Sequence, residues 1–109
     1  MLDDQQFRKL SDEALLNLQR ALERAAERYE FDVDRNEGAL TVEFEDPPSR
    51  FVVSPNSPVR QIWVSARVRS FKLDWDPARS AFVLSADGRS LQRLMEDVIG
   101  EQIGASVSL

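Results

Sequence analysis

The sequence predicts an α+β fold: a two-layer sandwich with two helices packed on one face of a mainly antiparallel sheet of five to seven strands, in the order α-β-β-β-β-β-β-α. Three observations predict it. Apolar residues recur every three or four positions near both ends of the chain. Between those stretches the period changes to two. The links between the apolar runs are too short for the crossover helices that a parallel sheet needs. Two helices cannot cover both faces of such a sheet and still shield one another, so both fall on one face. The other face then meets solvent. The whole chain, residues 1–109, reads as a single domain.

Residues 3–28 form the first helix. Phe7, Leu10, Ala14, Leu18, Ala21, Leu22, Ala25 and Tyr29 make one apolar face, and no Gly or Pro interrupts it. Asp3 and Asp4 lie at its start, where the helix dipole favours anions. Phe31-Asp32-Val33-Asp34 alternates as a strand at a sheet edge near this helix. Asn36-Glu37-Gly38 is a turn. Leu40, Val42 and Phe44 then alternate with Thr41, Glu43 and Glu45, and Pro47-Pro48 ends that strand. Phe51-Val52-Val53 is a short apolar run before a loop, Ser54-Pro55-Asn56-Ser57-Pro58. Val59 to Ala66 is the next strand. Phe71, Leu73 and Trp75 mark another, closed by Asp76-Pro77, and Ala81 to Leu84 is the last. Asp87-Gly88 turns into a second helix with Asp87 as its N-cap. Leu91, Leu94, Met95, Val98 and Ile99 form its apolar face, Gly104 ends it, and Ala105 to Leu109 is a tail placed to cover the gap between the helices.

Composition removes several functions. No cysteine means no disulfide, no thiolate zinc site and no cysteine nucleophile, and no histidine means no Ser-His-Asp triad. No Gly-rich phosphate loop and no Gly-x-Ser-x-Gly elbow occur, so the residues point away from an enzyme. A net charge of -5 argues against nucleic acid. The start of the chain lacks a basic segment followed by an apolar run, and no stretch reaches the ~20 apolar residues of a membrane span. The expectation is a cytoplasmic monomer that binds no membrane. The charge is uneven: residues 30–46 carry seven acids against Arg35 alone, whereas residues 47–79 carry six bases against Asp74 and Asp76. Such a molecule steers cationic partners toward one side.

Two features stand out. In Gln61-Ile62-Trp63-Val64-Ser65, alternation pairs Ile62 with Val64 as the core side and leaves Trp63 on the polar side with Gln61 and Ser65. Either the indole stands exposed as a contact, or a bulge, a twist or the tail buries it. The second feature is the acids. Asp3, Asp4, Asp12 and Glu13 lie in the first part of the first helix, Asp32 and Asp34 share one face of the first strand, and Glu43 and Glu45 share one face of the second. Carboxylates without nitrogen or sulfur suit hard cations; equally, they keep the domain soluble and blunt a sheet edge. Asp32, Asp34, Asn36 and Glu43 have the spacing of an EF-hand loop, but Glu37 stands where that loop needs Gly and a strand follows where a helix should.

The segment Phe51-Val52-Val53-Ser54-Pro55-Asn56-Ser57-Pro58-Val59-Arg60-Gln61-Ile62-Trp63-Val64-Ser65 resembles the strand, loop and Gln-(Ile/Val)-Trp signature of the frataxins, in particular their short bacterial form. Gly38-Ala39-Leu40-Thr41-Val42, Asp74-Trp75 and Asp87-Gly88-x-Ser90-Leu91 resemble it too, and the likeness covers nearly the whole chain. The resemblance implies a non-catalytic regulator of iron–sulfur cluster assembly that binds a cysteine desulfurase and a scaffold protein and holds iron (Fe2+ or Fe3+) weakly on an acidic ridge. By the same resemblance Asp3, Asp4, Asp12, Glu13, Asp32 and Asp34 are the metal positions, and Trp63, Gln61, Ser54, Asn56 and Glu23 the partner positions. An Fe(II)-oxidising or iron-storing protein is the alternative. Arg8, Arg20 and Arg24 stand where many relatives carry acids or other non-basic residues, and they thin the ridge.

Overall fold

Asp3 is the residue that starts the first helix. Its Oδ1 accepts from the Gln6 N–H at 2.7 Å, and the Gln6 Oε1 accepts from the Asp3 N–H at 3.1 Å, a reciprocal capping box. The helix α1 runs Asp4–Tyr29. The computed structural model describes residues 2–109. Of the predicted apolar face of α1, Phe7, Leu18, Ala21, Leu22 and Ala25 are buried, with Leu15 and Ser11 added, while Leu10, Ala14 and Tyr29 are half-buried at its margins.

Six strands follow, β1 (Asp32–Asn36), β2 (Ala39–Glu45), β3 (Pro48–Asn56), β4 (Gln61–Ala66), β5 (Arg69–Asp76) and β6 (Ala81–Leu84). They lie in the sheet in chain order, each antiparallel to the next. β1 is an edge strand, as expected. Its hairpin to β2 is tighter than predicted: Asn36 already pairs with Ala39, and Glu37 and Gly38 alone make the turn, at φ 53° and 83°. That is the geometry a two-residue hairpin of matching twist requires.

Two predicted boundaries are corrected. Ser54-Pro55-Asn56 is not a loop but the end of β3. β2 pairs with β3 only as far as Val53, so beyond it β3 has a neighbour on one side only, β4. A proline lacks just one donor, and an unpaired strand side tolerates that loss. β4 in turn starts at Gln61 rather than Val59, because Ser57–Val59 form a short 3-10 turn closed by the Arg60 N–H on the Ser57 carbonyl.

The second helix, α2, spans Leu91–Ile103. Its N-cap is Ser90, whose Oγ accepts from the Arg93 N–H at 3.2 Å, and not Asp87 as the sequence suggested. Asp87 instead takes the Arg89 Nε–H, while Asp97 takes its Nη1 at 3.1 Å. The bond to Asp97 is the first cause holding the Arg89 proton more tightly than usual, against a loss from partial burial. The chain bridges Val83 to Ser90 before it turns helical, which delays the helix start.

Leu40, Val42, Phe51, Val53, Ile62, Val64, Leu73 and Phe82 alternate onto one sheet face and form a single core with the buried stripes of α1 and α2. Phe82 meets Phe7 edge-on at 5.9 Å and Trp75 at 5.2 Å, which ties α1 to β5 and β6. The tail lies between the helices as predicted. The Leu109 N–H reaches Glu96 Oε2 and the Leu109 carbonyl accepts from Gln92, each at 2.8 Å. Gly100 makes the turn into that tail possible, since a Cβ there would sit 2.8 Å from the Ala105 carbonyl oxygen. Helix propensity alone would make Gly100→Ala stabilising by about 1 kcal/mol. We expect the reverse, a net loss of about 1 kcal/mol from the clash with fixed backbone. A thermal melt checks it, and a raised Tm would mean that the tail is not docked in solution.

Candidate partner-binding face

Register decides which side chains share the solvent-facing side of the sheet. Asp32 lies opposite Glu43, and Asp34 opposite Thr41. Thr41, Val52, Ser65 and Ser70 follow one another across four strands as a row of small side chains. Beside that row Ser54, Trp63 and Lys72 form a second, and Asn56, Gln61 and Asp74 a third. Neither helix covers this face. The row of small side chains gives this face little relief, with the Thr41 hydroxyl donating back to the Asp34 carbonyl at 3.4 Å.

Trp63 rises from the flat surface. It is 37% exposed, while Ile62 and Val64 on either side of it are buried. Neither a bulge nor the tail turns it inward. The indole is fixed all the same. Its Nε1–H donates to Gln61 Oε1 at 2.9 Å, and Gln61 Nε2 donates to Asp74 Oδ1 at 3.1 Å. The Lys72 ammonium sits 4.9 Å from the ring centroid, close enough for a cation–π contact. Lys72 had no sequence signal and Asp74 was marked only by the Asp74-Trp75 likeness, not as a support of the indole, because cross-strand neighbours are set by register and not by spacing along the chain. Ser54, Asn56, Gln61 and Trp63 are thus brought together. Glu23 is not, being exposed on α1 in the other layer.

The acids divide into two groups. Asp3 and Asp4 mark the start of α1, and Asp4 pairs with Arg8 at 3.3 Å. Asp12 and Glu13 follow on the first half of the helix. The 26 residues of α1 span about 39 Å, so Asp3 and Asp4 lie at the opposite end of the molecule from Asp32. No ion could be shared between them. Asp32 instead belongs to a groove of about 710 Å³ with Glu30, Glu43, Glu45 and Asp46, where Arg28 is the one cation in the lining. Tyr29 and Gln102 also line it, so both helices bring their carbonyl-bearing, partly negative ends here. Gln102, buried, ties the Asp46-Pro47 turn to α2 through the Pro47 carbonyl at 2.8 Å. Glu45 belongs to this group with Glu43, as their shared strand face suggested, and Glu30 and Asp46 join it although no motif marked them; the acid count of residues 30–46 was their signal.

Among the described residues, no group of three carboxylates stands close enough to hold a metal ion. No helix among the described residues is long and apolar enough to cross a membrane.

The family model described as a frataxin-like domain matches residues 1–105. The chain belongs to the frataxin family. It is 36% identical over 105 residues to the iron–sulfur cluster assembly protein CyaY of Azotobacter vinelandii, covering 94% of this chain and 91% of that one. To the CyaY of Dechloromonas aromatica it is 30% identical over 108 residues, covering 99% of each. The solved structure of the frataxin from Psychromonas ingrahamii matches its fold with a TM-score of 0.77 at 21% identity, covering 98% of this chain and 97% of that one. In this frataxin the two-helix, six-strand architecture is therefore the family's own.

Proposed function

We propose that this frataxin serves iron–sulfur cluster assembly as a non-catalytic accessory protein that docks on a complex of cysteine desulfurase and scaffold protein. Its acidic end meets a basic surface of the desulfurase, and the open sheet around Trp63 meets the scaffold. The mechanism is occupancy and positioning. Bound partners change how the desulfurase delivers sulfur because the docked domain holds the two proteins in one arrangement. Iron enters as a loosely held hydrated ion near Asp32 and Glu43, and no step of the docking runs through it. The reading includes a cytoplasmic protein acting as a single copy.

The observation that carries it is Trp63, an exposed aromatic clamped in one orientation on a flat face that no helix covers. Indole side chains of this kind concentrate binding energy at interfaces, and a fixed one loses little rotamer freedom on contact. The curated relatives named for iron–sulfur cluster assembly support the pathway.

The test is retention on an immobilised complex of purified bacterial desulfurase and scaffold. The chain should be held at about 50 mM salt and released by about 500 mM, as ions screen the acidic end. Asp32→Lys with Glu43→Lys should lose desulfurase contact while the sheet stays folded. Retention that ignores both salt and the lysine pair would sink the docking model.

A further inference from the structure

Three polar groups form a series across β4 and β5. The register sets Gln61 opposite Asp74 and Trp63 opposite Lys72. An indole N–H only donates, and an ionised carboxylate only accepts. Gln61 stands between them with one acceptor oxygen and one NH2 group. A single amide orientation serves both neighbours, with Oε1 turned to the Trp63 Nε1–H at 2.9 Å and Nε2 turned to Asp74 Oδ1 at 3.1 Å. The reverse orientation sets donor against donor and acceptor against acceptor, and loses both bonds. The carboxylate therefore chooses the direction of the amide, and the amide fixes the edge of the indole. Hydrogen bonds in such a series also polarise one another.

Asp74 has little else to do. It enters no ion pair among the described residues, and Gln61 is the one hydrogen-bond partner of its side chain there. Lys72 meets the face of the ring instead, so face and edge are held by different residues.

We propose that Asp74 is a positioning residue for the docking indole: it does not itself touch the partner, and through the Gln61 amide it holds Trp63 in one orientation before contact. The relay is a property of the free chain. Its effect on affinity rests on the scaffold contact proposed above.

The experiment has two readouts. The first is the Trp63 Nε1–H resonance of the free chain, assigned with Trp63→Phe. Asp74→Ala should move it upfield and speed its exchange with water, in the direction that Gln61→Ala takes it. Asp74→Asn, whose Oδ1 still accepts from the amide, should restore the parent position. Asp74→Lys, which can only donate, should turn Oε1 away from the indole and shift the resonance as far as Gln61→Ala does. All four should melt within about 5 °C of the parent. The second readout is affinity for immobilised scaffold. Asp74→Ala should weaken it about fivefold. Adding Asp74→Ala to Gln61→Ala should cost nothing further, because losing either link breaks the same relay. A resonance that ignores both Asp74→Ala and Asp74→Lys would overturn the relay. Affinity losses that multiply in the double variant would overturn it too, by making Asp74 a direct contact. Full scaffold affinity in Trp63→Ala would instead defeat the docking reading, and with it the effect on affinity, while the resonance still decides the relay.

Discussion

Phe82→Ala should lower stability by about 3–5 kcal/mol. The ring is 2% exposed and edge-on to both Phe7 and Trp75. Truncation removes its transfer energy and leaves a void between α1, β5 and β6 that rigid neighbours cannot fill. It also deletes two aromatic pairs, each worth about 0.5–1.5 kcal/mol. Against a total of about 5–15 kcal/mol for a domain, this is a large share, equivalent to a fall in Tm of about 10–25 °C. A urea titration checks it: the midpoint should drop while the slope stays that of the parent. A change under 1 kcal/mol, judged against the usual range for buried rings, would mean that α1 is not packed on β6 as described.

Trp63→Ala should leave the domain folded and weaken scaffold binding about 30-fold or more. That loss corresponds to the ≥2 kcal/mol that truncation of an interface hot spot costs. The stability cost should stay near 1 kcal/mol, because what is lost is one exposed hydrogen bond and one cation–π contact. The neighbours Ile62 and Val64 keep the strand in place through their own burial. Trp63→Phe keeps the ring against Lys72 but drops the bond to Gln61, so it should bind with intermediate strength. Circular dichroism with surface-immobilised scaffold separates the outcomes. Melting like Phe82→Ala would make the indole a core residue, and unchanged affinity would put the docking face elsewhere.

Much of this arrangement was legible in the residues. The three-four spacing from Phe7 to Tyr29 located α1, and Ile62-Trp63-Val64 exposed its own exception, because a strand period of two leaves a side chain no choice of face. Other parts were hidden for physical reasons. Pro55 read as a loop signal, since a proline's tolerance in a strand depends on whether a second neighbour lies alongside, and that is a tertiary fact. Asp87 and Ser90 are both good caps, and the Val83–Ser90 bridge, which no local pattern encodes, chose between them. Among the carboxylates, sequence distance misled in both directions. Asp3 and Asp32 were grouped although a long helix separates them, while Asp46 and Glu30 were overlooked although one groove joins them. The Lys72 and Asp74 supports of the indole needed the β4–β5 register to be seen.

The strand order has a consequence for synthesis. Each hairpin of the sheet can close as soon as its two strands leave the ribosome, because every strand pairs with the one just made. α1 meets β1 and β2 early, but its first turns have no such nearby match: Phe7 waits for Phe82, and the rest of the core waits for α2. At translation rates on the order of ten residues per second, the greasy side of the first-made helix stays only partly covered for several seconds, until the final quarter of the polypeptide has emerged. Nascent chains stalled before β6 should therefore recruit chaperones through α1, and chains released after α2 should not.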